Sequence, residues 1–178
     1  VYYKADGGNF ANGIEITTSA GNDSFDAYAL FGSDLTTLNT GTGDDDIQIH
    51  NFAIAEDTSL TVNSELDDDV IRLGDATIPA TVYAGSGNDT IFGSQFADDL
   101  YGETGEDLVI GGLGNDVIFA GAGNDIVIGD DGYFRNAVSA VNITMRDWPI
   151  AAIATSVDVA GDSDDTIDTG HGIDTVMG

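Results

Sequence analysis

Cysteine is absent and cations are scarce: Lys4, Arg72, Arg135 and Arg146 are the whole basic complement of 178 residues, against 32 Asp and Glu. Without a thiol the chain can hold neither a disulfide framework nor a thiolate metal centre, so oxygen donors remain. Without clustered Lys and Arg a nucleic-acid surface is excluded, because phosphate binding rests on a basic patch. No run is long and apolar enough for a transmembrane segment, and no basic stretch leads into an apolar one as in a signal peptide.

What the chain does have is acid, glycine and aliphatic carbon. Its formal net charge is -28, which makes a compact state repel itself at neutral pH. Its 42% hydrophobic content is nevertheless enough to bury a core in a domain of ordinary size. A divalent metal is the counter-charge this composition calls for.

The acid and glycine are periodic. From residue 84 the chain reads AGSGNDTIF, GSQFADDLY, GETGEDLVI, GGLGNDVIF and AGAGNDIVI without insertion or deletion. Position six is Asp in every word: Asp89, Asp98, Asp107, Asp116 and Asp125. Position eight is aliphatic: Ile91, Leu100, Val109, Ile118 and Val127. Two more words in phase, from Ala160 and Thr169, carry Asp165 and Asp174 at position six. Three isolated words, from Thr18, Thr40 and Ser64, place Asp23, Asp45 and Asp69 there. Two words make one coil of a solenoid, a strand and a turn on each of two sides. Words starting at 18, 40, 64, 84, 102 and 120 then stack along one edge, and those at 93 and 111 along the other.

Each position has a physical reason. Glycine at positions two and four (Gly85, Gly87, Gly105, Gly112, Gly114, Gly121 and Gly123) permits positive φ and a close approach of stacked turns. Asn or Asp at position five tolerates the left-handed region and can bond its own backbone. The turn aims main-chain carbonyls to one side, the position-six carboxylate adds a charged oxygen, and adjacent turns can enclose a hard cation at calcium distances. Magnesium suits such a site less well, because it demands near-octahedral geometry and keeps its waters. Positions seven to nine read as a short strand with position eight pointing inward. The outward residues become apolar along the array: Leu108 with Ile110, Val117 with Phe119, and Ile126 with Ile128. An apolar outer face of that kind suggests self-association or contact with neighbouring domains.

The consecutive words GGLGNDVIF and AGAGNDIVI resemble the GGxGxDxUx nonapeptide of RTX (repeats-in-toxin) proteins, a calcium-binding motif. The resemblance is close over 84–128 and 160–178 and weaker over 18–72. It implies an all-β, right-handed parallel β-roll or β-helix solenoid that holds several Ca2+ ions between position-six aspartates and the glycine turns. It also implies a fragment of a large secreted bacterial protein, commonly exported by a type I system to the extracellular space or cell surface. The start at Val1 without an initiator Met, and the end at Met177-Gly178 where a further word would begin, are read in the same sense. Two words depart from the pattern: Phe96-Ala97 replaces Gly-Asn, and Glu65-Leu66-Asp67 replaces the glycines, so those turns are expected to bind weakly or differently.

Four segments follow: 1–83 as a longer-coil solenoid with degenerate repeats, 84–133 as the regular roll, 134–159 as an insertion or covering flap, and 160–178 as resumed repeats. The insertion holds Arg135, Arg146 and Trp148, which could form a recognition site, while Val141, Ile143, Ile150 and Ile153 favour a cover for the apolar outer faces. His50 and His171 are read as structural or surface residues. Asp44, Asp46, Asp67 and Asp68 are read as a solvated acidic edge more than as extra ligands. No nucleophile and base pair, HExxH motif or carboxylate dyad is found, so no enzyme is expected in this stretch. The expected role is a calcium-dependent structural module of an adhesin, surface layer or matrix fibre. The alternative is an accessory module of a secreted hydrolase or polysaccharide epimerase. An ice- or carbohydrate-binding row at position three is spoiled by Leu113, Ala122 and His171.

Overall fold

The structure, a computed structural model, describes residues 14–27, 35–50, 59–74, 76–130, 166–168, 170–172 and 175–177. In chain order the strands are β1 (Ile14–Thr17), β2 (Ser24–Ala27), β3 (Leu35–Asn39), β4 (Asp46–Ile49), β5 (Leu60–Asn63), β6 (Val70–Arg72) and β7 (Ala80–Ser86). They continue with β8 (Thr90–Phe92), β9 (Asp99–Thr104), β10 (Leu108–Gly112), β11 (Val117–Ala122), β12 (Ile126–Asp130), β13 (Thr166–Asp168) and β14 (Thr175–Met177). Odd-numbered strands form one parallel sheet and even-numbered strands a second, each in chain order, so the chain winds alternately through both. This is the all-β parallel roll that the nonapeptide resemblance implies. Among the described residues there is no helix, and so none long and apolar enough to cross a membrane.

Position eight of the words starting at 40 through 120, with its register equivalents in the earlier odd-numbered strands, forms the centre of the core. In the odd-numbered sheet Leu38, Val62, Val82, Leu100 and Ile118 lie in register, and in the even-numbered sheet Ile47, Ile71, Ile91, Val109 and Val127 do the same. All ten are fully buried. A short strand alternates inside and outside with period two, so one inward aliphatic per strand is what three residues can supply. Each contributes about 2 kcal/mol of apolar burial.

The two edges differ. Turns 18–23, 40–45, 64–69, 84–89, 102–107 and 120–125 lead from the odd to the even sheet, and their position-three residues bridge from coil to coil in an unbroken series. The returns vary: partners one coil apart are separated by 22, 24 and 20 residues in the early coils and 18 in the regular ones. The extra residues therefore lie in the returns, and the early words stack with the regular ones as their phase predicts. The 134–159 insertion falls in a return between β12 and β13. It lies outside the described residues, with Arg135, Arg146 and Trp148. Beyond it the repeats resume in register, Val117 opposite Thr166 and Ile126 opposite Thr175.

The outward apolar residues divide between the sheets. Leu108, Ile110 and Ile126 are half-buried and Ile128 buried on the even sheet, whereas Val117 and Phe119 belong to the odd one. There the rings of Tyr83, Tyr101 and Phe119 stack at centroid separations of 4.8 and 5.2 Å. Register alone places these rings one strand spacing apart.

Candidate metal-binding edges

On the first edge each position-six carboxylate reaches back to the preceding coil. Its Oδ1 accepts a hydrogen bond from the position-six amide there: Asp45 from Asp23, Asp69 from Asp45, Asp89 from Asp69, Asp107 from Asp89 and Asp125 from Asp107, at 2.8 to 2.9 Å. On the second edge Asp116 accepts from Asp98 at 2.9 Å and Asp98 from Ala80 at 2.7 Å. Asp45, Asp69, Asp89, Asp98, Asp107, Asp116 and Asp125 are all buried, and Asp23, on the first turn of the edge, is partly buried. The ladder joins the isolated early words to the regular array. Asp165 and Asp174 lie outside the described residues.

The second oxygen is the informative one. Oδ2 of Asp45, Asp69, Asp89 and Asp107 is buried and meets no hydrogen-bond donor. A buried ionised carboxylate with an unsatisfied oxygen costs several kcal/mol. One inward aliphatic returns about 2 kcal/mol, so stacking alone does not offset the charge. Burial accordingly pushes the carboxyls up, Asp69 and Asp107 to about 7 and Asp89 and Asp98 to about 6. The amide bonds to these carboxylates oppose that rise, and like charges along the edge add to it for Asp69, Asp89 and Asp107. Among the described residues no three ionisable ligands converge. Each turn of the first edge offers one carboxylate beside stacked main-chain carbonyls, a donor set of oxygen alone that suits a hard cation.

The turn glycines set the carbonyl stack. At positions two and four, Gly85, Gly87, Gly112, Gly114, Gly121 and Gly123 all have positive φ, as does Gly105. A β-carbon on Gly105 would sit 1.6 Å from the carbonyl oxygen of Gly87, one coil away. Two turns hold non-glycine residues in this backbone: Glu65 and Asp67 at φ 76° and 77° in one, and Glu103 at 74° beside Gly105 in the other. The degenerate word at 64 therefore preserves the turn shape at the expense of local strain. Replacing Glu103 with Gly is expected to raise calcium-saturated stability by about 1 kcal/mol, read as a higher urea midpoint. An unchanged or lower midpoint would mean the glutamate contributes more than its backbone costs.

Position five departs from expectation. Its side chains bond to the next coil instead of their own backbone: the amides of Asp44, Asp68, Asn88 and Glu106 donate to Asn22, Asp44, Asp68 and Asn88 respectively. This exposed ladder runs opposite in sense to the buried one, and stacking makes it possible by setting equivalent amides one strand spacing apart. Asp67 accepts from the Gly43 amide and Asp46 pairs with Arg72, so these acids also bind within the protein. His50 Nε2 lies 2.8 Å from Asp26 Oδ1, a partner 24 residues away that sequence inspection does not reveal. His171 is exposed, and its main chain bridges to the 120–125 turn.

Against this geometry, the family model of the RTX calcium-binding nonapeptide repeat matches in 4 copies, over residues 81–100 and 101–133. Repeats of this family bind several Ca2+ ions over successive turns. No curated protein and no solved structure matches the chain.

Proposed function

Residues 81–133 are RTX calcium-binding nonapeptide repeats, and from that premise we propose that the chain is a calcium-driven folding and stiffening module of a large extracellular bacterial surface protein. The observation that carries the reading is the in-phase series of buried carboxylates, each with one oxygen on the preceding coil and, at Asp45, Asp69, Asp89 and Asp107, a second without a donor. The ligand set comprises the position-six aspartates at 23, 45, 69, 89, 107, 116, 125, 165 and 174, with the turn glycines supplying carbonyls. Extending the sites to 18–72 rests on the unbroken ladder there. The insertion at 134–159 and the outward apolar rows serve contacts within or between modules.

The mechanism is electrostatic. Where free calcium is scarce, repulsion along the edges keeps the chain expanded and competent for export. Where calcium is millimolar, each ion supplies positive charge to the inward carboxylates and the coils stack. Because such a site scarcely exists in the unfolded chain, binding energy is folding energy. Extracellular calcium modules bind with dissociation constants of roughly 10⁻⁴ to 10⁻³ M.

Adding calcium to chelator-treated protein at neutral pH is expected to produce a cooperative gain of far-UV β signal with a fall in hydrodynamic radius. Magnesium at equal concentration is expected to do neither. A chain already compact and β-structured in chelator would defeat the proposal.

A further inference from the structure

We infer that the turn at 93–98 is a metal-free joint, in which Ser94 satisfies Asp98 and Asp98 takes no calcium. The inference rests on the calcium reading of the other turns and narrows it. Asp98 is buried like its equivalents, at 1% exposure, but both of its oxygens have donors. Oδ2 accepts from the Ser94 amide at 2.6 Å. Oδ1 accepts from the Ala80 amide at 2.7 Å and lies 3.1 Å from the Ser94 hydroxyl. That hydroxyl also lies 3.2 Å from the Ile78 carbonyl and accepts from the Phe96 amide at 3.0 Å. Having a single hydrogen, it donates to either Asp98 or Ile78, and in both cases the network is closed by protein.

The backbone supplies an independent argument. In the turns at 84–89, 111–116 and 120–125 positions two and four both have positive φ, and even Glu65 and Asp67 are held there. Ser94 and Phe96 occupy those positions in 93–98 and neither has positive φ. The carbonyl arrangement of the other turns is therefore not reproduced. The turn one coil earlier on this edge is not a repeat word: it places Ala80 where an aspartate would stand, and its Ile78 carbonyl faces Ser94. This return is where the longer coils meet the regular repeats, and a joint closed by its own hydrogen bonds sets the register there without an ion.

Calcium bound at saturation, measured by equilibrium dialysis on the whole chain, tests this. Asp98→Asn is expected to leave the count unchanged, whereas Asp107→Asn lowers it by at least one ion. An equal loss from both variants would overturn the joint while leaving the calcium module intact. Failure of the unsubstituted chain to bind calcium would overturn the module itself. Should Asp98→Asn fold poorly, side-chain carboxyl ¹³C signals of the unsubstituted protein decide. Replacing calcium with lanthanum is expected to shift the Asp107 signal and leave that of Asp98 in place. Comparable shifts for both would overturn the joint.

Discussion

Gly105→Ala is expected to abolish stacking at its coil, with a loss of about 3 kcal/mol or more of calcium-saturated stability. Two effects combine at this position. The φ of 148° disfavours any β-carbon, and that carbon would lie 1.6 Å from the Gly87 carbonyl oxygen and 2.6 Å from its carbon. Backbone cannot rotate away as a side chain can, so the coils must separate, which opens the ladder from Asp107 to Asp89. Two other glycines isolate the terms. Gly21 has φ 117° but nothing within 4 Å, so Gly21→Ala is expected to cost about 1 kcal/mol from strain alone. Gly74 shows neither positive φ nor a neighbour within 4 Å, and its change to Ala should stay within about 0.5 kcal/mol. Urea midpoints measured in excess calcium give the order. Equal losses at Gly105 and Gly21 would show that the close approach between turns is not what glycine serves.

Acid is expected to replace calcium in part, and to compete with it. In the metal-free chain Asp69 and Asp107 are raised from 3.8 to about 7, and Asp89 and Asp98 to about 6. The folded chain therefore holds more protons than the unfolded one between pH 4 and 7, and metal-free stability falls as pH rises through that window. This contribution is fully present below the unfolded value of 3.8 and lost above about 7. Chelator-treated protein should thus gain β signal and contract as pH is lowered from 8 toward 4. With calcium the trend reverses, since an ion must displace these protons. The calcium midpoint should rise between pH 8 and 6, by up to about tenfold per unit for each proton displaced. A calcium midpoint independent of pH over this range would mean that the buried carboxylates are not where the ion acts.

The repeat words, the inward position eight and the stacking of the word at 102 on that at 84 were legible in the sequence because a solenoid repeats its environment. A residue that recurs every eighteen positions meets the same neighbour in each coil, so periodicity stands in for spatial proximity. The same reasoning placed the isolated words at 18, 40 and 64 on one edge, and the registers bear that out. It failed where a contact joins unlike words. Position-five side chains bond across coils instead of locally, because stacking brings the next amide closer than their own turn does. His50 finds Asp26, and Ser94 finds Ile78, across returns whose lengths obey no period.

The sequence by itself determined the period, the charge that demands a counter-ion, and the oxygen-only chemistry of the edges, since these are properties of residue type and spacing. Only the tertiary structure decided which turns share a backbone. Glu65 and Asp67 look as unlike glycine as Phe96 does, yet the first two are held at positive φ while Phe96 is not. That outcome depends on what the neighbouring coil presents. Beside 64–69, the turns on both sides hold positions two and four at positive φ and bridge to Leu66, so stacking imposes the strained backbone. Beside 93–98, the preceding return presents the Ala80 amide to Asp98 and the Ile78 carbonyl to Ser94, and the turn closes on them instead.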